Sequence, residues 1–313
     1  MVHYLRMIFD QGWWFDMHLQ KHCNLCPRRC GAARQMQAGY CGADGRLRVA
    51  RAALHHWEEP CISGSRGSGT VFFSGCPLKC CYCQNWKISA EGFGKTIDEA
   101  RLAEIFLELQ AQGAHNLNLV TATPWLPWVV NALDAARLKG LRLPIVYNTG
   151  GYETVETIKV LEHYVDIWLA DVKYASPALS SEYSAAADYF DVCRVAVEQM
   201  LAQAGPPRYN EEGIMQGGVI LRHLALPGSL GDTKAVLQWM ASLPAGSFVP
   251  SLMSQYTPFY KASEHKHLAR RVSTWEYRQA VNYAVDLGLT AGYMQEKSSA
   301  REEYTPPFDL EGV

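Results

Sequence analysis

From residue 70 onward the chain repeats one pattern, a short apolar run followed by a stretch of helical length, and this limits its fold more than any other feature. The apolar runs are TVFFSG at 70–75, NLNLVTAT at 116–123, LPIVYNT at 143–149, DIWLADVK at 166–173, GGVILRHLAL at 217–226, FVPSLMSQY at 248–256 and TAGYMQE at 290–296. Their β-branched and aromatic content reads as buried strands. Helices are predicted over 96–112, 125–139, 154–164, a longer stretch ending near 204, a segment from 233, and 274–287. Thr96 and Glu99 read as a capping box for the first of these. Strands alternating with helices require a parallel sheet with crossover helices.

Such an order builds either an open doubly wound sheet or a barrel. Polar residues gather at the C-terminal ends of the strands: Ser74, Thr121 with Thr123, Asn148 with Thr149, Asp171 with Lys173, Arg222 with His223, and Gln255 with Tyr256. At a barrel rim these converge on one site, whereas in an open sheet they spread along an edge. The expected fold class is α/β, a partial (β/α) barrel of about six parallel strands, over residues 61–300. A small cysteine-rich segment at 1–60, with no clear strand–helix repeat, precedes it, and a tail at 301–313 follows. The aromatic stretch at 1–20 is interrupted by Asp10 and Asp16 and reads as a peripheral helix rather than an export signal.

Apolar residues make up 48% of the chain, enough for a sizeable core. The net charge is −2, so nothing favours a nucleic-acid backbone as partner. No apolar run approaches the length of a membrane span, and a cytoplasmic location is expected. Most of the ten cysteines crowd into 23–41 and 76–83. In a reducing compartment such groups read as metal ligands or redox groups rather than disulfides.

Cys76, Cys80 and Cys83 have the spacing C-x3-C-x2-C, in the loop just after the first predicted strand. A four-iron cluster normally takes four thiolates, so three leave one iron open for chemistry. The alternatives are zinc with a distant fourth ligand, or unligated core cysteines. Cys81 breaks the spacing and is expected to be a non-ligand. Cys23, Cys26, Cys30 and Cys41 form a separate set that suits zinc or a second iron–sulfur cluster, with folding or electron relay as its role. Reduced thiols in a loop are the simpler alternative. Cys61 is a substitute ligand for that set, and Cys193 is expected in the core.

The cluster segment resembles the radical S-adenosylmethionine (SAM) superfamily, in the branch similar to pyruvate formate-lyase activating enzyme. Cys76, Cys80 and Cys83 match its cluster motif, and Tyr82 its aromatic residue, whose surroundings contact adenine. Cys83-Gln84-Asn85, the stretches at 58–69, 222–228 and 251–258, and the closing 304–313 resemble the same branch. The resemblance implies a [4Fe-4S] cluster and SAM as cofactors. It implies cleavage of SAM to a 5′-deoxyadenosyl radical that abstracts hydrogen, from a glycine of a partner glycyl-radical enzyme. It also implies a one-electron donor of the flavodoxin or ferredoxin kind.

By the same resemblance Tyr82, Asn85, Thr121, Thr123, Asn148, Asp171, Lys173, Arg222 and His223 are candidate SAM-binding residues. Lys173 would pair with the methionine carboxylate, and Asp171 would hold Lys173 or a ribose. The family's Gly-Gly-Glu run is absent, and Thr121-Ala122-Thr123-Pro124 occupies its place. Two other functions stay open: radical modification of another peptide or a small molecule, and a non-catalytic electron-transfer module. The rim residues weigh against the last, because an electron carrier needs no Asp171, Lys173 or Arg222.

Overall fold

The computed structural model describes residues 22–295 and 306–313; the helix expected over 1–20 and the first part of the tail lie outside them. In chain order the elements are β1 (Arg48–His55), α1 (Pro60–Ser63), β2 (Ser68–Phe73), α2 (Trp86–Ser89), β3 (Lys95–Thr96), α3 (Glu99–Ala111), β4 (Leu117–Val120), α4 (Leu126–Leu138), β5 (Ile145–Thr149) and α5 (Val155–Val160). Then come β6 (Ile167–Asp171), α6 (Pro177–Ser184), α7 (Tyr189–Ala204), β7 (Arg208–Tyr209), β8 (Met215–Leu224), α8 (Leu230–Ser242), β9 (Val249–Met253), α9 (Thr274–Asp286) and β10 (Tyr293–Met294).

The sheet order is β10-β9-β8-β6-β5-β4-β2-β1-β3, with β7 pairing β8 off this path. From β2 to β10 every neighbouring pair on the path is parallel. Across these parallel strands the order never reverses, so there is no switch point of the doubly wound kind among them. With crossovers of one hand, successive helices cover one face and the sheet curls toward a barrel. Among the described residues β10 and β3 do not pair, so the barrel is partial, as expected.

The inner strands read as unbroken apolar runs because both faces are covered; all of β2, β4 and β5 is buried. Trp125, Trp168, Tyr147, Tyr174 and Tyr189 are among the largest fully buried side chains. The Trp125 indole donates to the Ser74 carbonyl at 2.7 Å, tying the start of α4 to the loop after β2.

Four local expectations differ from the structure. β1 lies within the segment read as having no clear strand–helix repeat, and it pairs antiparallel with β2 from Val49↔Phe73 to His55↔Ser68, across the boundary drawn at residue 60. The cap of α3 is Asp98, whose side chain accepts from the Arg101 N–H, while Thr96 sits in β3. The long helical stretch is two helices, α6 and α7, parted at Ala185, which takes a left-handed φ of 49°. The helix expected from Thr233 starts earlier, at Leu230.

Residues 306–313 return to β1. Ala52 N–H donates to the Glu311 carbonyl at 2.8 Å and Leu310 N–H to the Ala50 carbonyl at 3.1 Å. Among the described residues no helix is long and apolar enough to cross a membrane.

Candidate active site

The chain leaves β2 in a loop whose first turn is set by Gly75, with φ of 87°. A Cβ there would lie 2.7 Å from the Cys41 carbonyl, so only glycine fits. Lys79 is also left-handed, with φ of 52°. These turns bring Cys76, Cys80 and Cys83 to one cleft of about 220 Å³ at the C-terminal ends of the strands.

Each of the three sulfurs accepts a hydrogen bond: Cys76 from Leu78 N–H at 3.4 Å, Cys80 from the Ser184 hydroxyl at 3.0 Å, Cys83 from the Ser89 hydroxyl at 3.3 Å. Burial pushes the Cys76 thiol up to about 12 and the Cys83 thiol upward. As free thiols Cys76 and Cys83 would stay protonated, whereas a bound metal deprotonates its cysteine ligands. Among the described residues, no three His, Cys, Asp or Glu side chains stand close enough to hold a single metal ion. Three thiolates offered by one short loop at the cleft are the donor set of an iron–sulfur body that keeps one iron open. Asn85 supplies a second sign of a missing occupant. It lines the cleft, and its side-chain oxygen is buried without a hydrogen-bond partner among the described residues.

Opposite the cysteines stands a buried charge network. Arg222 donates from Nε to Asp171 at 2.8 Å, from one terminal nitrogen to Glu58 at 3.0 Å, and from the other to the Asn148 oxygen at 2.7 Å. Lys173 Nζ donates to Asp171 at 2.6 Å. Asn148 and Asn118 amides both donate to Glu58, at 3.0 and 3.2 Å. Burial alone would raise the Asp171 carboxyl, but Arg222 and Lys173 outweigh it and hold it below its ordinary range. Burial likewise disfavours the charge on Lys173, yet Asp171 beside it keeps its pKa above the usual lysine value. Two of the three ammonium N–H groups of Lys173 have no partner among the described residues.

The expected SAM-binding residues divide into those that line the cleft and two that do not. Tyr82, Asn85, Thr121, Asn148, Asp171, Lys173 and Arg222 line the cleft, as do Gln255 and Tyr256. His223 does not. It follows Arg222 on β8, so its side chain leaves the opposite face of the sheet. There it bonds the Val172 carbonyl at 2.7 Å and the Thr233 hydroxyl at 3.0 Å. Thr123 is also elsewhere, buried against Tyr147 at 2.9 Å and Glu153 at 2.6 Å. Cys81 is not in the lining, and Cys193 is fully buried.

Thr121, in the place of the Gly-Gly-Glu run, has φ of 57°. That conformation is rare for a β-branched residue and marks local strain at the rim. Sequence reasoning missed Glu58 as a site residue. It lies in a connection between β1 and α1, where no periodic signal operates, and only the fold brings it to β4, β5 and β8. Away from the cleft, Cys23, Cys26, Cys30 and Cys41 share a small cavity with Arg34.

Residues 70–196 match the family model of the radical SAM superfamily. Over 280 residues, 87% of this chain and 77% of the relative, the sequence is 29% identical to an uncharacterized protein of Methanocaldococcus jannaschii. Similar solved structures include a domain of pyruvate-formate lyase-activating enzyme from Bacteroides vulgatus, with 14% identity, 54% of this chain and 90% of that one covered, and a TM-score of 0.38. A radical SAM methyltransferase from Sphaerobacter thermophilus has 13% identity, 74% and 67% coverage, and a TM-score of 0.47. Native anSMEcpe with bound AdoMet has 13% identity, 72% and 61% coverage, and a TM-score of 0.43.

Proposed function

We propose, for a chain that carries a radical SAM domain over residues 70–196, that it is an activating enzyme abstracting hydrogen from a glycine of a partner glycyl-radical enzyme. The observation that carries the catalytic reading is the meeting, in one cleft, of Cys76, Cys80 and Cys83 with the Asp171–Lys173–Arg222 network. An electron carrier needs no Asp171–Lys173–Arg222 network lining a cleft beside its cysteines. The protein substrate rests on the resemblance of the cluster segment.

Cys76, Cys80 and Cys83 would hold the [4Fe-4S] cluster. When bound and reduced, it supplies the electron that splits SAM into methionine and a 5′-deoxyadenosyl radical. The chain's own residues bind and orient. Lys173 offers its two remaining N–H groups to the methionine carboxylate. Asp171 fixes Lys173 and Arg222 in place, and Glu58 and Asn148 complete the hold on Arg222. The Thr121 hydroxyl, in the cleft lining, would accept from the ammonium. Tyr82, which packs edge-on against Tyr174, Tyr183 and Tyr256, walls water from the cleft. The electron comes from a flavodoxin- or ferredoxin-type donor. All ten cysteines are free, which fits a reducing cytoplasm.

The test is anaerobic. The protein is reconstituted with iron and sulfide, reduced and mixed with SAM, and 5′-deoxyadenosine is assayed. Formation by the parent protein and loss in Cys80→Ala are expected; equal formation by both removes Cys80 from the ligand set. A glycyl-radical signal in a candidate partner, by electron paramagnetic resonance, tests the substrate. Deoxyadenosine without that signal from any glycyl-radical enzyme tried would shift the reading to other peptides or small molecules.

A further inference from the structure

Among the described residues Arg34 is a buried cation without a paired anion. It is 2% exposed, and its terminal nitrogens donate only to backbone carbonyls, those of Pro124 and Asp44. Its Nε has no partner. The guanidinium lies 5.0 and 5.4 Å from the rings of Trp125 and Trp128. Among the described residues no carboxylate pairs with it. A charge taken out of water without a counter-charge is strongly unfavourable, so the described residues leave this cation short of a negative group. The side chain faces the cavity lined by Cys23, Cys26, Cys30 and Cys41.

We propose that these four cysteines hold a second, thiolate-ligated metal centre, and that its negative charge is the counter-charge of Arg34. Four thiolates around a zinc ion, or around an oxidised four-iron cluster, leave a net double negative charge; four neutral thiols leave none. The backbone is arranged for such a body. Cys23 N–H donates to the Ala32 carbonyl and Gly31 N–H to the Cys23 carbonyl, each at 3.1 Å, folding the segment back on itself. A Cβ at Gly39 would lie 3.4 Å from the Cys30 sulfur and 3.6 Å from the Cys41 sulfur, so these two thiols lie on one side of the same turn.

The thiols are not gathered to single-ion distance, and neither are Cys76, Cys80 and Cys83. A metal therefore either draws them in by rotation about χ1 or bridges them as a cluster. Zinc and iron–sulfur share the chemistry, four thiolates and a thiophilic metal, and loading separates them.

The centre also has a place in the molecule. Cys41 carbonyl accepts from Cys76 N–H at 3.1 Å, and Arg28 Nε donates to the Pro77 carbonyl at 2.8 Å. The second centre therefore braces the loop that carries the first set of cysteines.

The experiment uses the full chain as Cys76→Ser/Cys80→Ser/Cys83→Ser, which cannot hold the first cluster. It is loaded anaerobically with zinc alone, or with iron and sulfide, then desalted and analysed. Retention of about one zinc, or about four irons with matching sulfide, per chain is expected. Loss of that metal on adding Cys23→Ser/Cys26→Ser is expected as well. Cobalt(II) in its place should give sulfur-to-metal charge-transfer bands, and Arg34→Met should release metal to a chelator roughly tenfold more readily. Absence of metal from a protein with unchanged circular dichroism, or retention unaffected by Cys23→Ser/Cys26→Ser, overturns the proposal. Where the triple variant fails to fold, the chain with Cys76, Cys80 and Cys83 intact is compared with Cys23→Ser/Cys26→Ser alone. Equal metal contents then overturn it.

Discussion

Arg222 holds Asp171, Glu58 and Asn148 at once, with a side chain only 12% exposed. Arg222→Met would leave Glu58 buried without its cation and Asp171 with Lys173 alone, a change expected to cost about 3–5 kcal/mol and readable by urea denaturation of the unloaded protein. Lys173→Met removes a more exposed cation that has one protein partner. Its stability loss should be smaller, while the SAM dissociation constant should rise roughly tenfold or more. If both variants lose equal stability and neither changes SAM binding, the network is structural only.

The neighbour of Arg222 gives a pH prediction of definite sign. A carbonyl only accepts, so His223 Nδ1 carries the proton toward Val172 and Nε2 accepts from Thr233. That is the neutral ring. Burial lowers its pKa from 6.5 to about 4. At pH 7 it is uncharged in both folded and unfolded chains. As pH falls below 6.5 the unfolded histidine takes a proton that the buried one refuses, so stability is lost down to about 4. The full loss is about 3 kcal/mol. His223→Gln should flatten this window; an unchanged pH slope would mean that His223 is already charged in the fold. Arg222 and His223 were both assigned to the rim because the sequence shows only that they end the strand. Alternation then lets one side chain of an adjacent pair face the cleft, and the sequence does not say which.

Among elements, the parallel strands were readable because burial on both faces turns each into a continuous apolar run. β1 was not, for two physical reasons. It is an antiparallel strand rich in alanine and arginine, with little β-branched content. Its register also shifts between Val49 and Arg51, so the period of two is broken at its start. The cysteine spacing, by contrast, is set by one short loop and survives without knowledge of the sheet. Glu58 shows the opposite case, since its partners lie 60, 90 and 164 positions away. The turn after β5 can be tested directly. Gly151 has φ of 76°, and a Cβ there would collide with the Asp171 carbonyl. Gly140 has φ of 103° with nothing near. Gly140→Ala should therefore cost only the strain of its backbone, about 1 kcal/mol. Gly151→Ala should cost more and weaken SAM binding through displaced Asp171. Similar melting temperatures for the two variants would show that the β5 loop yields without moving the rim.

At the scale of the whole molecule, the partial barrel has an edge to protect. β3 pairs with β1 only at Arg48 and Val49, and beyond that point residues 310 and 311 take over, bonding Ala50 and Ala52. Arg51 pins the same segment through Asp309 at 2.6 Å and through Glu311, and Phe308 packs edge-on against Phe72 at 5.7 Å. Pro306 reaches the lining of the cleft itself. An uncovered strand edge is a template for pairing with another chain. Deleting residues 306–313 should therefore lower the melting temperature and produce association that grows with protein concentration, measured by light scattering. Arg51→Ala, which loosens the strap without removing its backbone, should show a weaker form of both effects. A truncated protein that stays monomeric with an unchanged melting temperature would mean that β3 and the twist of β1 protect the edge without the strap. The same deletion should raise solvent access to the cleft, so the reconstituted cluster should bleach faster in air than in the full chain.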